Sequence, residues 1–150
     1  MHTIYTSLLA AGILLAGWMA PAGAGLFSAT GNVIAILNGE LYVGEAEGHL
    51  NGAGTLAIRS QKTPSLTCAG QFTSSAKLGG AGELQCTDGA TATFSFQRLT
   101  VFRGYGVGNL NGGSMSFVYG LSAEEAARYL TLPAGKKLAR DGTKLALVDL

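Results

Sequence analysis

Glycine at every second position, followed by Asn-Gly, is the feature of this sequence that most restricts its fold. The stretch from Tyr42 to Gly52 reads YVGEAEGHLNG, and the stretch from Phe102 to Gly112 reads FRGYGVGNLNG. Residues two apart lie on the same face of a β-strand, so each stretch predicts a strand with a glycine-rich face. Such glycines permit close approach by a ring or by another backbone. We therefore expect large side chains of neighbouring strands to cover these faces.

A third copy of the pattern is interrupted by a two-residue insertion. It begins with Cys68-x-Gly70-x-Phe72 and resumes with LGGAGEL from Leu78 to Leu84. Each copy contains a residue pair suited to the positive φ of a type I′ hairpin turn. The three pairs are Asn51-Gly52, Gly79-Gly80 and Asn111-Gly112. The copies therefore predict hairpins.

Further hairpins are predicted on both sides of these copies. Asn38-Gly39 joins the stretches Val33–Leu37 and Glu40–Gly44, and a turn containing Asp88-Gly89 precedes an alternating stretch. In that stretch Ala92, Phe94 and Phe96 alternate with polar residues, as in a half-buried strand. Together the hairpins predict an all-β fold, a largely antiparallel meander.

The glycine pattern resembles the MORN repeat over residues 42–119. The aromatic residue followed two positions later by glycine is present at Tyr42 and Gly44 and again at Phe102 and Gly104, while the second aromatic of the pattern is present as Phe72. The resemblance implies glycine-rich hairpins that serve as scaffolds or binding surfaces. The middle segment is also similar to small exported bacterial proteins of unknown function.

The C-terminal part of the chain departs from the hairpin pattern. Ser122 and Glu125 form a capping box that predicts a short helix over residues 122–130, which ends before Pro133. Residues 137–148 then predict one more hairpin, with its turn at Asp141-Gly142.

The N-terminus predicts a signal peptide over residues 1–24. The uncharged apolar run from Leu8 to Ala20 is followed by Ala22-Gly23-Ala24, a cleavage motif of the A-x-A kind. Cleavage after Ala20 and an uncleaved N-terminal anchor are the alternatives. Cleavage after Ala24 leaves residues 25–150 as a single β domain, exported to the periplasm or the extracellular medium, with no membrane span of its own.

The two cysteines, Cys68 and Cys86, are expected to form a disulfide because the chain is predicted to be exported. If the middle hairpin is centred near Lys77, opposed residues have numbers that sum to about 154, which places the two cysteines face to face. The alternative is a pair of free buried thiols.

Few residues in the sequence are candidates for catalysis or metal binding. Neither GxGxxG, GxxxxGK[ST] nor GxSxG occurs, and the predicted mature chain retains one histidine, His49. Glu45, Glu47 and His49 lie on one strand face and could bind a divalent cation. We favour a solvent-exposed face instead, and so predict no catalytic residue, no metal site and no cofactor. The net charge of +1 without a basic stripe argues against nucleic acid as a partner.

Five aromatic residues could form either a binding surface or part of the core, and we favour the core. They are Tyr42, Phe102, Tyr105, Phe117 and Tyr119. The function predicted first is a non-enzymatic module that binds an unknown protein or envelope component, or that has a structural role. The second is an inhibitor of a secreted or host hydrolase. The third is a metal-binding protein or enzyme that uses Glu45, Glu47 and His49.

Overall fold

A computed structural model describes residues 28–75 and 78–150, and shows eight strands in a closed antiparallel barrel. The barrel strands are β1 (Ser28–Leu37), β2 (Glu40–His49), β3 (Ala53–Ser60), β4 (Thr67–Ser75), β5 (Gly79–Cys86), β6 (Thr91–Thr100), β7 (Arg103–Leu110) and β8 (Gly113–Tyr119). A short helix, α1 (Ala123–Ala126), and a separate hairpin of β9 (Lys136–Asp141) and β10 (Lys144–Asp149) follow. The prediction of an all-β antiparallel fold with one short helix near the C-terminus is thus confirmed.

Two sequence predictions fall partly or wholly outside the described residues. These are the signal peptide over residues 1–24 and the hairpin centre near Lys77. Within the part of the chain that is described, no helix is long and apolar enough to cross a membrane.

Each barrel strand pairs with the next along the chain, and β1 also pairs with β8. Val33–Leu37 aligns antiparallel with Met115–Tyr119, which closes the meander into a barrel. The first half of β1 is hydrogen-bonded in register to β2 alone. The N-terminal end of β1 therefore lies at a less completely paired end of the barrel.

Some hairpin turns are those predicted from the sequence, and others differ from the prediction. Asn38-Gly39 and Asn111-Gly112 have positive φ at both residues, as type I′ turns require. The β2–β3 connection is instead a three-residue loop, Leu50 to Gly52, in which Gly52 has positive φ and donates its N–H to the carbonyl of His49. Gly79-Gly80 is also not a turn, because both residues lie inside β5 and pair with β4.

The glycine faces of β5 and β7 point into the barrel and are covered by aromatic rings, whereas the space in front of Gly48 in β2 is open. A Cβ atom on Gly106 would lie 2.6 Å from Cε1 of Phe117, and one on Gly80 would lie 2.8 Å from Cζ of Phe96. The ring of Phe94 likewise lies against an inward glycine of β5. A large side chain and a glycine alternate between neighbouring strands, which is how a small barrel accommodates several rings.

The predicted register of the middle hairpin is confirmed. Cys68 is opposite Cys86 and Gly70 is opposite Leu84, so the numbers of opposed residues sum to 154 as predicted. The two cysteines form a disulfide, and their Cα atoms are 3.9 Å apart. Cys68 is almost fully buried in the barrel core.

One end of the barrel is filled with side chains. Buried aliphatic residues from the ends of several strands meet there beside the disulfide. They include Leu37, Ile58, Leu84 and Leu110. The core is therefore dense at the end that carries the β1–β2, β3–β4, β5–β6 and β7–β8 connections.

The C-terminal segment covers the outside of the barrel where β1 meets β8 and β2. Ile34 and Ile36 point outward but are buried, because α1 and the final hairpin pack over them. This covering explains why five consecutive residues, Val33–Leu37, are all buried.

The end of the helix and the turn of the final hairpin also differ from their predicted positions. Ser122 caps the helix as predicted, but α1 ends at Ala126 instead of near residue 130. After Ala126 the amides of Arg128 and Tyr129 bond three residues back, which tightens the chain into turns. The last turn is formed by Gly142-Thr143, one residue later than predicted.

Candidate ligand-binding cavity

The barrel contains a cavity of about 330 Å³ at the end opposite the filled one. Its wall is formed by residues from the beginning of β1, from β3 and from the ends of β2, β4, β6 and β8, together with the β2–β3 and β6–β7 loops. Drug-sized ligands generally occupy pockets of roughly 300–1,000 Å³, so this volume suits one small molecule.

The cavity exists because small residues line one side of it. Gly31, Ala46 and Gly48 belong to β1 and β2 and contribute almost no side-chain volume. A Cβ atom on Gly48 would meet only Cζ of Phe72, at 3.9 Å. The space in front of this glycine is therefore open, in contrast to the space in front of Gly106.

The opposite side of the cavity is a wall of aromatic rings. Phe72 and Phe96 meet edge to face with centroids 5.6 Å apart, and Phe94 and Phe117 do so at 5.2 Å. The ring of Tyr119 extends the series, 5.8 Å from that of Phe96. Edge-to-face contacts of this kind hold rings in fixed positions, so the wall is preorganised for an apolar ligand.

Two polar side chains interrupt the apolar lining. The guanidinium of Arg98 donates from Nη1 to the carbonyl of Val101 at 3.1 Å and from Nη2 to Oγ of Ser74 at 2.6 Å. Its Nε is buried without a hydrogen-bond partner, and so is the hydroxyl of Tyr119. Both are donors, and neither finds an acceptor among the described residues.

Burial raises the pKa of the Tyr119 hydroxyl above its usual value of 10.0, and the positive charge of Arg98 opposes that rise. The hydroxyl therefore keeps its proton at physiological pH and can act as a hydrogen-bond donor. The influence of Arg98 on this pKa also shows that its charge is felt at the hydroxyl.

The rim of the cavity carries apolar side chains that face solvent. Leu50 is 80% exposed, Val101 63% and Phe102 62%. Because these residues line the cavity and are exposed as well, the cavity communicates with solvent between the two rim loops.

The five aromatic residues discussed from the sequence occupy different environments. Tyr42 and Phe117 are in the barrel core, and Tyr119 is partly buried against it, as predicted. The core prediction is wrong for Phe102, which lies on the rim and is 62% exposed. Tyr105 points out of the barrel, where it stacks on Tyr129 and packs against the buried cluster beneath the C-terminal segment.

Glu45, Glu47 and His49 lie together at alternate positions of β2. Nε2 of His49 is 4.0 Å from Oε1 of Glu47, and both side chains are well exposed. Among residues 28–75 and 78–150 no group of three or more His, Cys, Asp or Glu side chains is arranged to hold a metal ion. These residues do not converge on a site of their own.

Arg98 was not predicted as a site residue, although the sequence carries a signal for it. Ala92, Phe94, Phe96 and Arg98 share one parity in β6, so an arginine continues a series of inward apolar residues. A charged residue at an inward position of a small barrel is costly unless it has a role or a partner. That departure from the alternation would have indicated the cavity end.

The fold and the cavity define a structural class, an eight-stranded antiparallel barrel with an internal pocket open at one end. Comparison with known proteins identifies no relative of the chain. No family model matches the chain, and neither a curated protein nor a solved structure matches it significantly.

Proposed function

We propose that the protein is an exported, non-enzymatic binding module that holds a small, largely apolar molecule inside its barrel. The observation that carries this proposal is the cavity of about 330 Å³, which is lined by aromatic rings and open at the rim. Eight-stranded barrels have an interior that is either filled by side chains or just large enough for one small ligand. Here one end is filled and the other end has room.

The chemistry of the lining supports binding over catalysis. The ionisable residues among the described lining are His49, Arg98 and Tyr119, and none of the lining residues is acidic. The hydroxyl of Ser74 is engaged with Arg98 and with the carbonyl of Gly52, so no base is available to activate it. The MORN-like pattern of residues 42–119, whose resemblance implies a scaffold or binding surface, points the same way.

Export is supported by the disulfide between Cys68 and Cys86, since such bonds persist in oxidising compartments. Mass spectrometry of the protein from its natural source tests this. The expected mature chain begins at Gly25 and carries no free thiol. An intact chain beginning at Met1, with both thiols reduced in the cytosol, would contradict it.

The binding role is tested with the neutral fluorescent dye N-phenylnaphthylamine, whose emission rises in an apolar site. We expect saturable binding of about one dye per chain to the wild-type protein. The variant Gly48→Leu, which places a side chain in the open space of the cavity, should abolish binding. Thr55→Leu is the matched control, because Thr55 lies on the exposed outer face of the adjacent strand β3.

A second cavity-filling variant, Ala46→Leu, provides the same test if Gly48→Leu misfolds. Circular dichroism and thermal unfolding establish that each variant retains the barrel. Dye binding that is unaffected in a folded Gly48→Leu or Ala46→Leu variant would refute the proposed function.

A further inference from the structure

The two unpartnered donors at the cavity specify what a ligand must supply. A buried donor without an acceptor loses its hydrogen bonds to water and gains nothing in return. Nε of Arg98 and the hydroxyl of Tyr119 are both in this state, and both belong to residues that line the same cavity. A molecule that satisfies them must carry hydrogen-bond acceptors.

The register of the barrel brings the two donors together. Arg98 of β6 is opposite Gly104 of β7, which is opposite Tyr119 of β8. Gly104 has no side chain to separate the outer two, and a Cβ atom there would lie 2.5 Å from Cζ of Tyr119. The tyrosine ring thus leans over the glycine toward the arginine. Both donor atoms are enclosed by protein atoms, so the two side chains must turn to meet a ligand.

The charge at this point is not balanced by the protein. No carboxylate among residues 28–75 and 78–150 forms an ion pair with Arg98. Glu45, Glu47 and Glu83 point outward, and Glu40 lies at the filled end of the barrel, where it pairs with Lys62. Hydrogen bonds in which one partner is charged are about twice as strong as neutral ones, and guanidinium groups suit carboxylates in geometry. The acceptor that fits best is therefore an anion.

We infer that the cavity binds an apolar molecule with a single carboxylate, toward which Arg98 and Tyr119 turn so that its oxygens accept from Nε of Arg98 and from the hydroxyl of Tyr119. This inference rests on the proposed function and specifies its ligand. Arg98 lies near the end of β6, beside the rim loop that contains Val101. The carboxylate therefore lies toward the rim, and the apolar body extends inward along the rings of Phe94 and Phe96.

Three probes with one ring system and different head groups test the inference. They are naphthoate, naphthalenemethanol and naphthalenemethylammonium, and their dissociation constants are measured by isothermal titration calorimetry or by displacement of N-phenylnaphthylamine. We expect naphthoate to bind about tenfold or more tightly than the alcohol, and the ammonium to bind most weakly.

Two substitutions assign the preference to the named atoms. Tyr119→Phe removes only the hydroxyl, and should weaken naphthoate binding about tenfold and binding of the alcohol by much less, because the hydrogen bond to a charged acceptor is the stronger one. The control Tyr105→Phe removes a hydroxyl outside the barrel, where it donates to Gln97, and should change neither affinity. Arg98→Met should abolish the preference for the anion. Arg98→Met also removes the hydrogen bonds to Ser74 and Val101 and can unfold the protein. If it does, the result with Tyr119→Phe decides the assignment.

The outcomes separate the inference from the proposed function. Equal binding of naphthoate and naphthalenemethanol, with the dye still excluded by Gly48→Leu, would overturn the carboxylate and leave the binding role intact. A preference for naphthoate that survives Tyr119→Phe and a folded Arg98→Met would overturn the assignment to these residues. Failure of the dye and of all three probes to bind would overturn both.

Discussion

Substitution of Gly106 by alanine should destabilise the barrel, while the same substitution at Gly48 should not. Both glycines point inward, Gly106 from strand β7 and Gly48 from strand β2, in two copies of the same sequence pattern. A Cβ atom on Gly106 would lie 2.6 Å from Cε1 of Phe117 and closer still to the carbonyl oxygen of Ser95. Real Cβ atoms essentially never approach other atoms within 3.0 Å, so strand β7 or the ring must move.

The magnitude follows from two opposed effects. Overpacking a well-packed core costs about 1–3 kcal/mol. Replacing glycine by alanine also reduces the entropy of the unfolded chain, which stabilises by about 0.4–1 kcal/mol where the native conformation permits it. Gly106→Ala should therefore lower the free energy of unfolding by about 1–2 kcal/mol. Gly48→Ala meets only Phe72, at an ordinary 3.9 Å, and should raise it by up to about 1 kcal/mol.

Urea denaturation followed by circular dichroism measures both values, and an unchanged m-value shows that the unfolding transition remains comparable. A third variant, Phe117→Leu, tests the mechanism. Combined with Gly106→Ala it makes room for the added methyl group, so the double variant should be more stable than the sum of the single effects predicts. Changes of the same sign and size at Gly106 and Gly48 would refute the idea that rings fill the glycine faces.

Four further predictions concern other parts of the molecule. Reduction of the Cys68–Cys86 disulfide, which closes a loop with a sequence separation of 18, should cost about 3 kcal/mol and lower the melting temperature, while the β signal in circular dichroism persists at low temperature; two thiols that alkylate without prior reduction would contradict it. Ser122→Ala removes the helix N-cap and should cost about 1 kcal/mol in thermal or urea unfolding. Because burial raises the pKa of Tyr119 in the folded state, the unfolded state loses this proton first, so stability should fall as pH rises above 10.0, and less so in Tyr119→Phe. Zinc should leave the melting temperature unchanged; a zinc-dependent rise that is lost in His49→Ala would reveal a metal site.

The local part of this fold could be predicted from sequence because it depends on neighbouring residues. Two Asn-Gly pairs specify two-residue turns, and alternation in β6 specifies which residues are buried. The register of the middle hairpin followed from counting around one loop, and it placed Cys68 opposite Cys86. Each of these features depends on interactions within about twenty residues of chain.

The features that were not predicted depend on residues far apart in the sequence. Closure requires β1 to pair with β8, about eighty residues later, and no local pattern encodes that pairing. The five-residue buried run of β1 has an outer face covered by the C-terminal segment, which the run itself does not reveal. The turn at Asn51-Gly52 is an exception, because its difference from the prediction is local. Gly48 pairs with Gly54, and the three residues between the ends of β2 and β3, Leu50 to Gly52, form the loop.

The cavity follows from a difference between the two ends of one barrel. At the filled end, glycine positions on one strand are matched by large side chains on the next, as Gly70 is matched by Leu56 and Leu84. At the open end this compensation fails between β2 and β3, because Gly48 is opposite another glycine, Gly54. Two adjacent glycines remove more side-chain volume than the ring of Phe72 restores, and space remains. The polar side chains of Arg98 and Tyr119 occur at this end, where the alternation of large and small residues is incomplete. A barrel selected for stability alone would fill that space and would place no arginine beside it. The coincidence of missing volume with unpartnered donors is therefore the strongest structural reason to look for a ligand there.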